Sequence, residues 1–148
     1  NHMILNDAPT VTEAAKQFGS QAIVASIDYR IIDGQAVVFT EHGTLNTGRP
    51  ALDVARQARD MLSGEIFLNA IDRDGAARGY DIETINAVVE ALDIPVIACG
   101  GAGHQRHFLQ CFNDTNASAV AAGNIFHFTE NSYPRFKNFL KSKECRLR

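Results

Sequence analysis

Four short apolar runs constrain this chain most, because each is followed by a polar or glycine-rich turn and then by a segment of helical periodicity. Apolar runs of this length are typical of strands that are buried on both faces of a parallel α/β sheet. They cover residues 22–27, 66–71, 95–99 and 117–122. Because parallel α/β proteins bind ligands at the carboxyl ends of their strands, we expect a functional site in the turns after these runs.

The segments between the runs predict helices and one β-hairpin. Asn6 or Asp7 can cap a first helix that has Pro9 in its first turn and ends at Gly19. Asp33-Gly34 between two apolar runs predicts the hairpin, and a loop is expected over residues 41–50. Further helices are predicted over residues 52–62, 82–92, 104–113, 125–128 and 133–140. We therefore expect one α/β domain over residues 1–148, with four βα units and with residues 1–3 as a cloning remnant.

Composition and charge argue against several classes of function. A net charge of −3 over 148 residues shows no basic excess, so nucleic acid is not an expected partner. No apolar run approaches about 18 residues and no signal peptide is recognisable, so a membrane is not an expected partner either. Cys99, Cys111 and Cys145 are an odd number at spacings that fit neither a disulfide framework nor a metal motif, which suits a reducing cytoplasm.

Four segments of the chain, in order, resemble the cyclase subunit of imidazole glycerol phosphate synthase, an enzyme of histidine biosynthesis. They are residues 23–28, residues 71–81, the turn from Gly100 to Gly103, and Phe126-His127-Phe128. The resemblance runs from about residue 11 to about residue 140 and covers only the C-terminal half of that family's (βα)8 TIM barrel. It implies that the fold is half of such a barrel, and that the activity needs no cofactor and no metal.

The resemblance also implies an activity and a catalytic residue. The family takes ammonia from a glutaminase subunit and reacts it with a bisphosphorylated ribulosyl nucleotide, which gives imidazole glycerol phosphate and an aminoimidazole carboxamide ribotide. It uses two aspartates; the second matches Asp28, and the first lies in the half that this chain lacks. Asp28 is therefore expected to act as an acid/base; the alternative is that it caps the backbone of its own hairpin. Glu65 matches a family glutamate where ammonia enters the barrel, although a solvated charge explains it nearly as well.

Glycine-rich turns predict a phosphate site. Barrel enzymes commonly bind phosphate between the last two βα loops and a short extra helix, and here that region holds Gly100, Gly101, Gly103, Gly123 and Asn124. We expect Gly101→Val to abolish phosphate binding with little loss of fold. Asp74 and Gly75, after the second apolar run, match residues at the family's substrate site. Tight turns alone are the alternative explanation of these glycines.

Departures from the family pattern keep other functions open. The family's usual residues at Gly123 and Asn124 are Ala and Ser, and milder departures are Asn69 for Thr and Cys99 for Ser. The first two resemble a paralogous branch thought to pass ammonia to a sugar in surface-polysaccharide synthesis. A fragment that only binds phosphate and self-assembles is a further alternative. Because a half barrel exposes its inner face and the strand edges 22–27 and 117–122, we expect a homo-oligomer or a complementary N-terminal half to complete it.

Overall fold

The parallel strands and the helices that come after them follow the order that the apolar runs predict. The helix His2–Asn6 and the strand Leu45–Pro50 are additions to that prediction. The computed structural model describes residues 1–127, 132–143 and 145. Its strands are β1 (Val24–Ile32), β2 (Gln35–Thr40), β3 (Leu45–Pro50), β4 (Glu65–Ala70), β5 (Val96–Cys99) and β6 (Ala119–Val120). Its helices are α1 (His2–Asn6), α2 (Ala8–Phe18), α3 (Ala51–Asp60), α4 (Ile82–Ala91), α5 (Gln105–Asp114) and α6 (Ser132–Lys141), with 3-10 turns at Ser20–Ala22 and Asn124–His127.

The strands form a single six-stranded sheet in the order β3-β2-β1-β4-β5-β6. β1, β4, β5 and β6 are parallel neighbours. β4 and β5 are each followed by a helix, β1 is followed by the hairpin strands and then by α3, and β6 is followed by a 3-10 turn and then by α6. This arrangement confirms the predicted α/β class with four βα units and is consistent with part of a TIM barrel. Within the described residues, no helix is long and apolar enough to cross a membrane.

The hairpin explains where the strand boundaries differ from those predicted. β1 runs beyond residue 27 to Ile32 because its second half pairs with β2, from Tyr29 opposite Val38 to Ile32 opposite Gln35. Asp33 and Gly34 both have positive φ, of 49° and 80°, as a two-residue hairpin turn requires. The loop predicted over residues 41–50 is wrong in part, because β3 pairs there with β2. β3 is a largely exposed strand, so its residues lack the apolar alternation by which strands are recognised.

Helices cover one face of the parallel strands, and the core lies between them. On β1 the residues Ala25, Ile27 and Tyr29 are buried against this layer, whereas the alternate residues are more exposed. α2 begins as predicted, with the Asp7 side chain accepting a hydrogen bond from the Thr10 amide at 3.4 Å. Other fully buried core residues are Val54, Ile66, Leu68, Ile85, Val88 and Val96. We call the opposite, more exposed face of the parallel strands the inner face.

Candidate functional site

The inner face carries a row of three polar side chains at the carboxyl ends of three adjacent strands. Asp28 of β1 pairs in register with Asn69 of β4, and Asn69 pairs with Cys99 of β5. Residues in register on neighbouring strands point to the same face, so the three side chains lie together. The Asn69 Nδ2 donates to Asp28 Oδ1 at 2.8 Å. The Asn69 Oδ1 is buried and has no hydrogen-bond partner among the described residues.

Asp28 is held on its second oxygen as well. Asn1 Nδ2 donates to Asp28 Oδ2 at 3.2 Å and to the Phe39 carbonyl at 2.6 Å, while Asn1 Oδ1 accepts from the Asp28 amide at 3.0 Å. In the part of the chain that the structure describes, the hydrogen bonds of the carboxylate thus go to two amides and not to the hairpin backbone. The cloning-remnant interpretation of residues 1–3 stays a prediction, although Asn1 contacts the candidate site.

The loop after β4 brings a second carboxylate towards this row. Asp74 is exposed, and its negative charge adds to burial in raising the pKa of the Cys99 thiol above its usual value. Asp28 contributes a smaller effect of the same sign. Two carboxylates therefore act on Cys99, which stays a neutral thiol at neutral pH. Gly75 follows Asp74 with φ 74°, at the turn of the loop.

Two further aspartates of this loop hold it in place. Asp72 Oδ2 accepts a hydrogen bond from the Ile31 amide at 3.2 Å, which ties the loop to β1. Asp81 is buried, accepts from the Tyr29 hydroxyl at 3.1 Å, and lies 3.8 Å from the Arg73 guanidinium. These contacts fix both ends of the segment that carries Asp74 and Gly75.

The glycines after β5 are explained by close packing. Gly100 and Gly101 have φ of 95° and 99°, which side chains rarely adopt. A Cβ at Gly100 would overlap the Ala70 carbonyl, and one at Gly101 would overlap the Gly79 carbonyl. The expectation that Gly101→Val leaves the fold intact is therefore wrong.

Gly103 and Gly123 differ in the space around them. A Cβ at Gly103 would overlap Ala77, and the Gly103 amide already donates to His107 Nδ1 at 3.1 Å. Gly123, after β6, is exposed, and a Cβ added to it would meet no atom of the described residues within 4 Å. In the described part of the chain, Gly123 is thus open, whereas Gly100, Gly101 and Gly103 are closely packed.

The segment after Gly123 is short. Asn124 begins the 3-10 turn Asn124–His127, whereas the sequence predicts a helical segment over residues 125–128; Phe128 and the Asn124 side chain lie outside the described part. The strand end before it is anchored, because the Ala121 amide donates to the Ala98 carbonyl at 2.8 Å and the Tyr80 hydroxyl donates to the Ala121 carbonyl at 2.9 Å.

Glu65 lies far from this cluster. It begins β4, opposite Val24 of β1, and is half-buried at the amino end of the parallel strands. Asn69 is the fourth residue after Glu65, which is a distance of about 13 Å along an extended strand. The structure thus separates Glu65 from the other candidate residues, as the sequence predicts for a residue at the opposite end of the sheet.

Sequence reasoning missed three features of the site. They are the contact of Asn69 with Asp28, the contacts among Tyr29, Asp81 and Arg73, and the position of Arg30, whose guanidinium carbon lies 4.9 Å from the centroid of the Phe39 ring. Arg30 could have been found, since it lies two residues after Asp28 and alternation places both on one face. The other two needed the strand register and the path of a loop. Among the described residues, no group of three or more His, Cys, Asp or Glu side chains could hold a metal ion.

Comparison with known proteins identifies the family to which this chain is similar. A family model described as "Histidine biosynthesis protein" matches residues 1–132. Three similar curated proteins are each named imidazole glycerol phosphate synthase subunit HisF: those of Hydrogenobaculum sp. (strain Y04AAS1), Saccharolobus solfataricus and Sulfurisphaera tokodaii, at 40%, 38% and 41% identity. Each match covers 100% of this chain but only 59% of the relative's own length.

Proposed function

Because this chain belongs to the histidine biosynthesis protein family, we propose that it is the C-terminal half of a cyclase barrel that makes imidazole glycerol phosphate. Within the complete barrel, ammonia would react with a bisphosphorylated ribulosyl nucleotide and release an aminoimidazole carboxamide ribotide. The observation that carries the proposal is Asp28, which two amides hold on the inner face at the strand ends. The three relatives reported above all carry the synthase name, so they give the sugar-amidation alternative no support.

Asp28 has the chemistry that this reaction needs. Ring closure requires that protons leave the attacking amine and reach the departing oxygen, and a positioned carboxylate can transfer both. The Asn69 amide donates to Asp28 Oδ1 at 2.8 Å, and this contact, which does not involve residues 1–3, orients the carboxylate. Orientation of this kind is what makes a general acid/base effective.

The remaining predicted residues would bind substrate and admit ammonia. The open space at Gly123 supports contact of its backbone with one phosphate, together with Asn124 and the neighbouring turn of Gly100, Gly101 and Gly103. Asp74 and Gly75 would contact a substrate hydroxyl, because a carboxylate repels phosphate directly. Glu65 would lie at the entrance for ammonia, which a glutaminase subunit would supply. The histidine pathway would operate in the cytoplasm.

The proposal is tested by an assay of the completed barrel. The chain is co-expressed with an N-terminal half from one of the relatives, and turnover is measured with ammonia and the bisphosphorylated nucleotide. Asp28→Asn should lower turnover by about 10²–10⁴-fold, the usual contribution of a positioned acid/base. Asp33→Asn is the matched control, since Asp33 lies in the exposed hairpin turn and Asn tolerates its φ of 49°. Equal turnover of the two variants, or no turnover of the wild-type pair, would contradict the proposal.

The phosphate contact is tested separately on this chain. Gly123→Val places a branched side chain in the open space beside the backbone and should weaken binding of inorganic phosphate in an NMR titration, with the fold unchanged. Ser118→Val, at the exposed amino end of β6, is the control. Equal phosphate affinity of the two variants would remove Gly123 from the site.

A further inference from the structure

Arg30 places a positive charge on the inner face beside the candidate catalytic carboxylate. It lies two residues after Asp28 on β1, so the two side chains share one face of the strand. Its guanidinium carbon lies 4.9 Å from the centroid of the Phe39 ring, and Phe39 is itself buried. A guanidinium over an aromatic face is held by cation–π attraction and keeps the edges of its plane free for hydrogen bonds.

A tight turn holds the same guanidinium from another direction. Glu41, His42 and Gly43 have φ of 49°, 57° and 80°, so three successive residues are left-handed. A Cβ at Gly43 would lie 3.5 Å from Arg30 Nη2 and 2.8 Å from Ile71 Cδ1, which shows how closely this turn passes. Arg30 thus lies between the Phe39 ring and this turn, and a side chain that is confined before binding loses less entropy on binding.

Arg30 has no anionic partner among the described residues. Its Nε is buried without a hydrogen-bond acceptor, and it makes no ion pair with any of them. Three carboxylates of the neighbouring segments already have other partners: Asp28 with two amides, Asp72 with the Ile31 amide, and Glu41 with His2 at 3.3 Å. A half-buried cation without an acceptor is costly, and such a group favours binding of an external partner.

We infer that Arg30 binds an oxyanion group of the ligand, a phosphate or a carboxylate, at a subsite separate from the glycine turns. The two terminal nitrogens can donate in parallel to two oxygens of one such group. The subsite lies on the inner face between Asp28 and the hairpin, so a ligand anchored there extends over the reacting carboxylate. The identity of the ligand rests on the proposed function. The location of the subsite rests on the contacts of Arg30.

The test is an NMR titration of this chain with inorganic phosphate and, separately, with acetate, at constant ionic strength. We expect one of the two anions to shift the Arg30 side-chain Nε–H and the Gly43 amide. Arg30→Gln should weaken that response by about 10- to 100-fold, the usual contribution of a charge-assisted bidentate contact. Arg30→Lys should retain part of it, since the charge remains but the planar fork is lost. Arg78→Gln, an exposed arginine of the loop after β4, is the control and should leave the response unchanged.

Two results would overturn the inference. One is that neither anion shifts the Arg30 and Gly43 signals; the other is that the response persists in Arg30→Gln. If Arg30→Gln does not fold, the wild-type side-chain signal and Arg30→Lys decide the question. If the anion shifts the NMR signals of Arg30 but not the signal of Gly123, the glycine site is refuted and the Arg30 subsite is supported. If it shifts the Gly123 signal but not those of Arg30, the Arg30 subsite alone is refuted.

Discussion

At the scale of single residues, Tyr29 links the helix-covered face of the sheet to the loop that carries Asp74. Its ring is 1% exposed, and its hydroxyl donates to the buried carboxylate of Asp81. Arg73 is the charged neighbour of that carboxylate, at 3.8 Å. A buried carboxylate depends on such partners, because desolvation without them costs several kcal/mol.

Removal of the Tyr29 hydroxyl should therefore destabilise the fold. We expect Tyr29→Phe to lower the free energy of unfolding by about 1–3 kcal/mol, since it leaves an oxygen of Asp81 without its donor. The measurement is urea unfolding followed by circular dichroism. Tyr133→Phe is the control, because Tyr133 is 61% exposed and should change stability little. Equal stability of the two variants would show that the hydrogen bond contributes nothing.

The same residue predicts how stability depends on pH. Burial and then the Asp81 carboxylate raise the pKa of Tyr29, and burial raises the pKa of Tyr80. Tyrosines in the unfolded chain ionise at about pH 10, so above that pH the unfolded state loses protons that the folded state keeps. Stability should be intact below about pH 10 and fall as pH rises further. Tyr29→Phe should reduce the steepness of this fall, and a urea midpoint that is constant between about pH 9 and pH 11 would contradict the prediction.

The position of a site residue was predictable where it directly follows an apolar run. Asp28 follows an apolar run, and the structure places it at the carboxyl end of a parallel strand on the inner face. Its contacts with Asn69 and Asn1 span 41 and 27 residues of chain, so no local pattern reveals them. Local spacing reports which side of a strand a residue faces, whereas partners depend on register and loop path.

At the scale of elements, the turn after β5 and the loop after β4 support each other. Gly79 donates its amide to the Gly101 carbonyl at 2.8 Å, and the Arg73 guanidinium lies 3.4 Å from the Gly79 carbonyl. The two segments are therefore bonded to each other at the strand ends. This mutual packing leaves no space for a side chain at Gly101.

Two glycine variants should separate this packing from an open turn. Gly101→Ala should destabilise the chain by at least about 1–3 kcal/mol, because alanine is strained at φ 99° and its methyl overlaps the Gly79 carbonyl. Gly123→Ala should be nearly neutral, since no described residue lies within 4 Å of the added methyl. Thermal unfolding compares the two. Equal melting temperatures would mean that the turn adapts easily.

The elements themselves were predictable to the extent that each carries its own signal. Asp7 with Pro9 marked the start of α2, and Asp33 with Gly34 marked the hairpin, because capping and left-handed turns depend on local chemistry. β3 carries no such local signal. Its strand conformation is stabilised by pairing with β2, and a local sequence pattern does not report that pairing. β6 is only two residues long, although its apolar run covers six, because strand length follows the neighbouring backbone and not hydrophobicity alone.

At the scale of the whole molecule, the inner face and two sheet edges have no covering layer in the described chain. On β1, β2 pairs only with Tyr29–Ile32, so among the described residues no strand pairs with the edge at residues 24–28 on that side. The N-terminal amine of Asn1 donates a hydrogen bond to the Ser26 carbonyl at this edge. β6 ends the sheet at its other side. The predicted edge at β1 is thus confirmed only for the first half of that strand.

We expect the isolated chain to self-associate through this surface. Val24 is 51% exposed on the inner face at the free edge of β1, so Val24→Lys should weaken the association. Phe18→Lys, at the end of α2 on the helical side, is the control and should leave it intact. Light scattering that gives 16.2 kDa at all concentrations would rule out self-association, and an added N-terminal half should compete with it.

The row formed by Asp28, Asn69 and Cys99 has a consequence for how such chains can change during evolution. Each member comes from a different βα unit and meets its neighbours only through strand register. Insertions and deletions between the units leave the row unchanged, whereas loss of one residue inside a strand turns its polar side chain into the helical layer. Related proteins should therefore vary in length mainly in the loops that lead from each helix to the next strand, at the amino ends of the strands. Whole βα units should also be exchangeable by recombination.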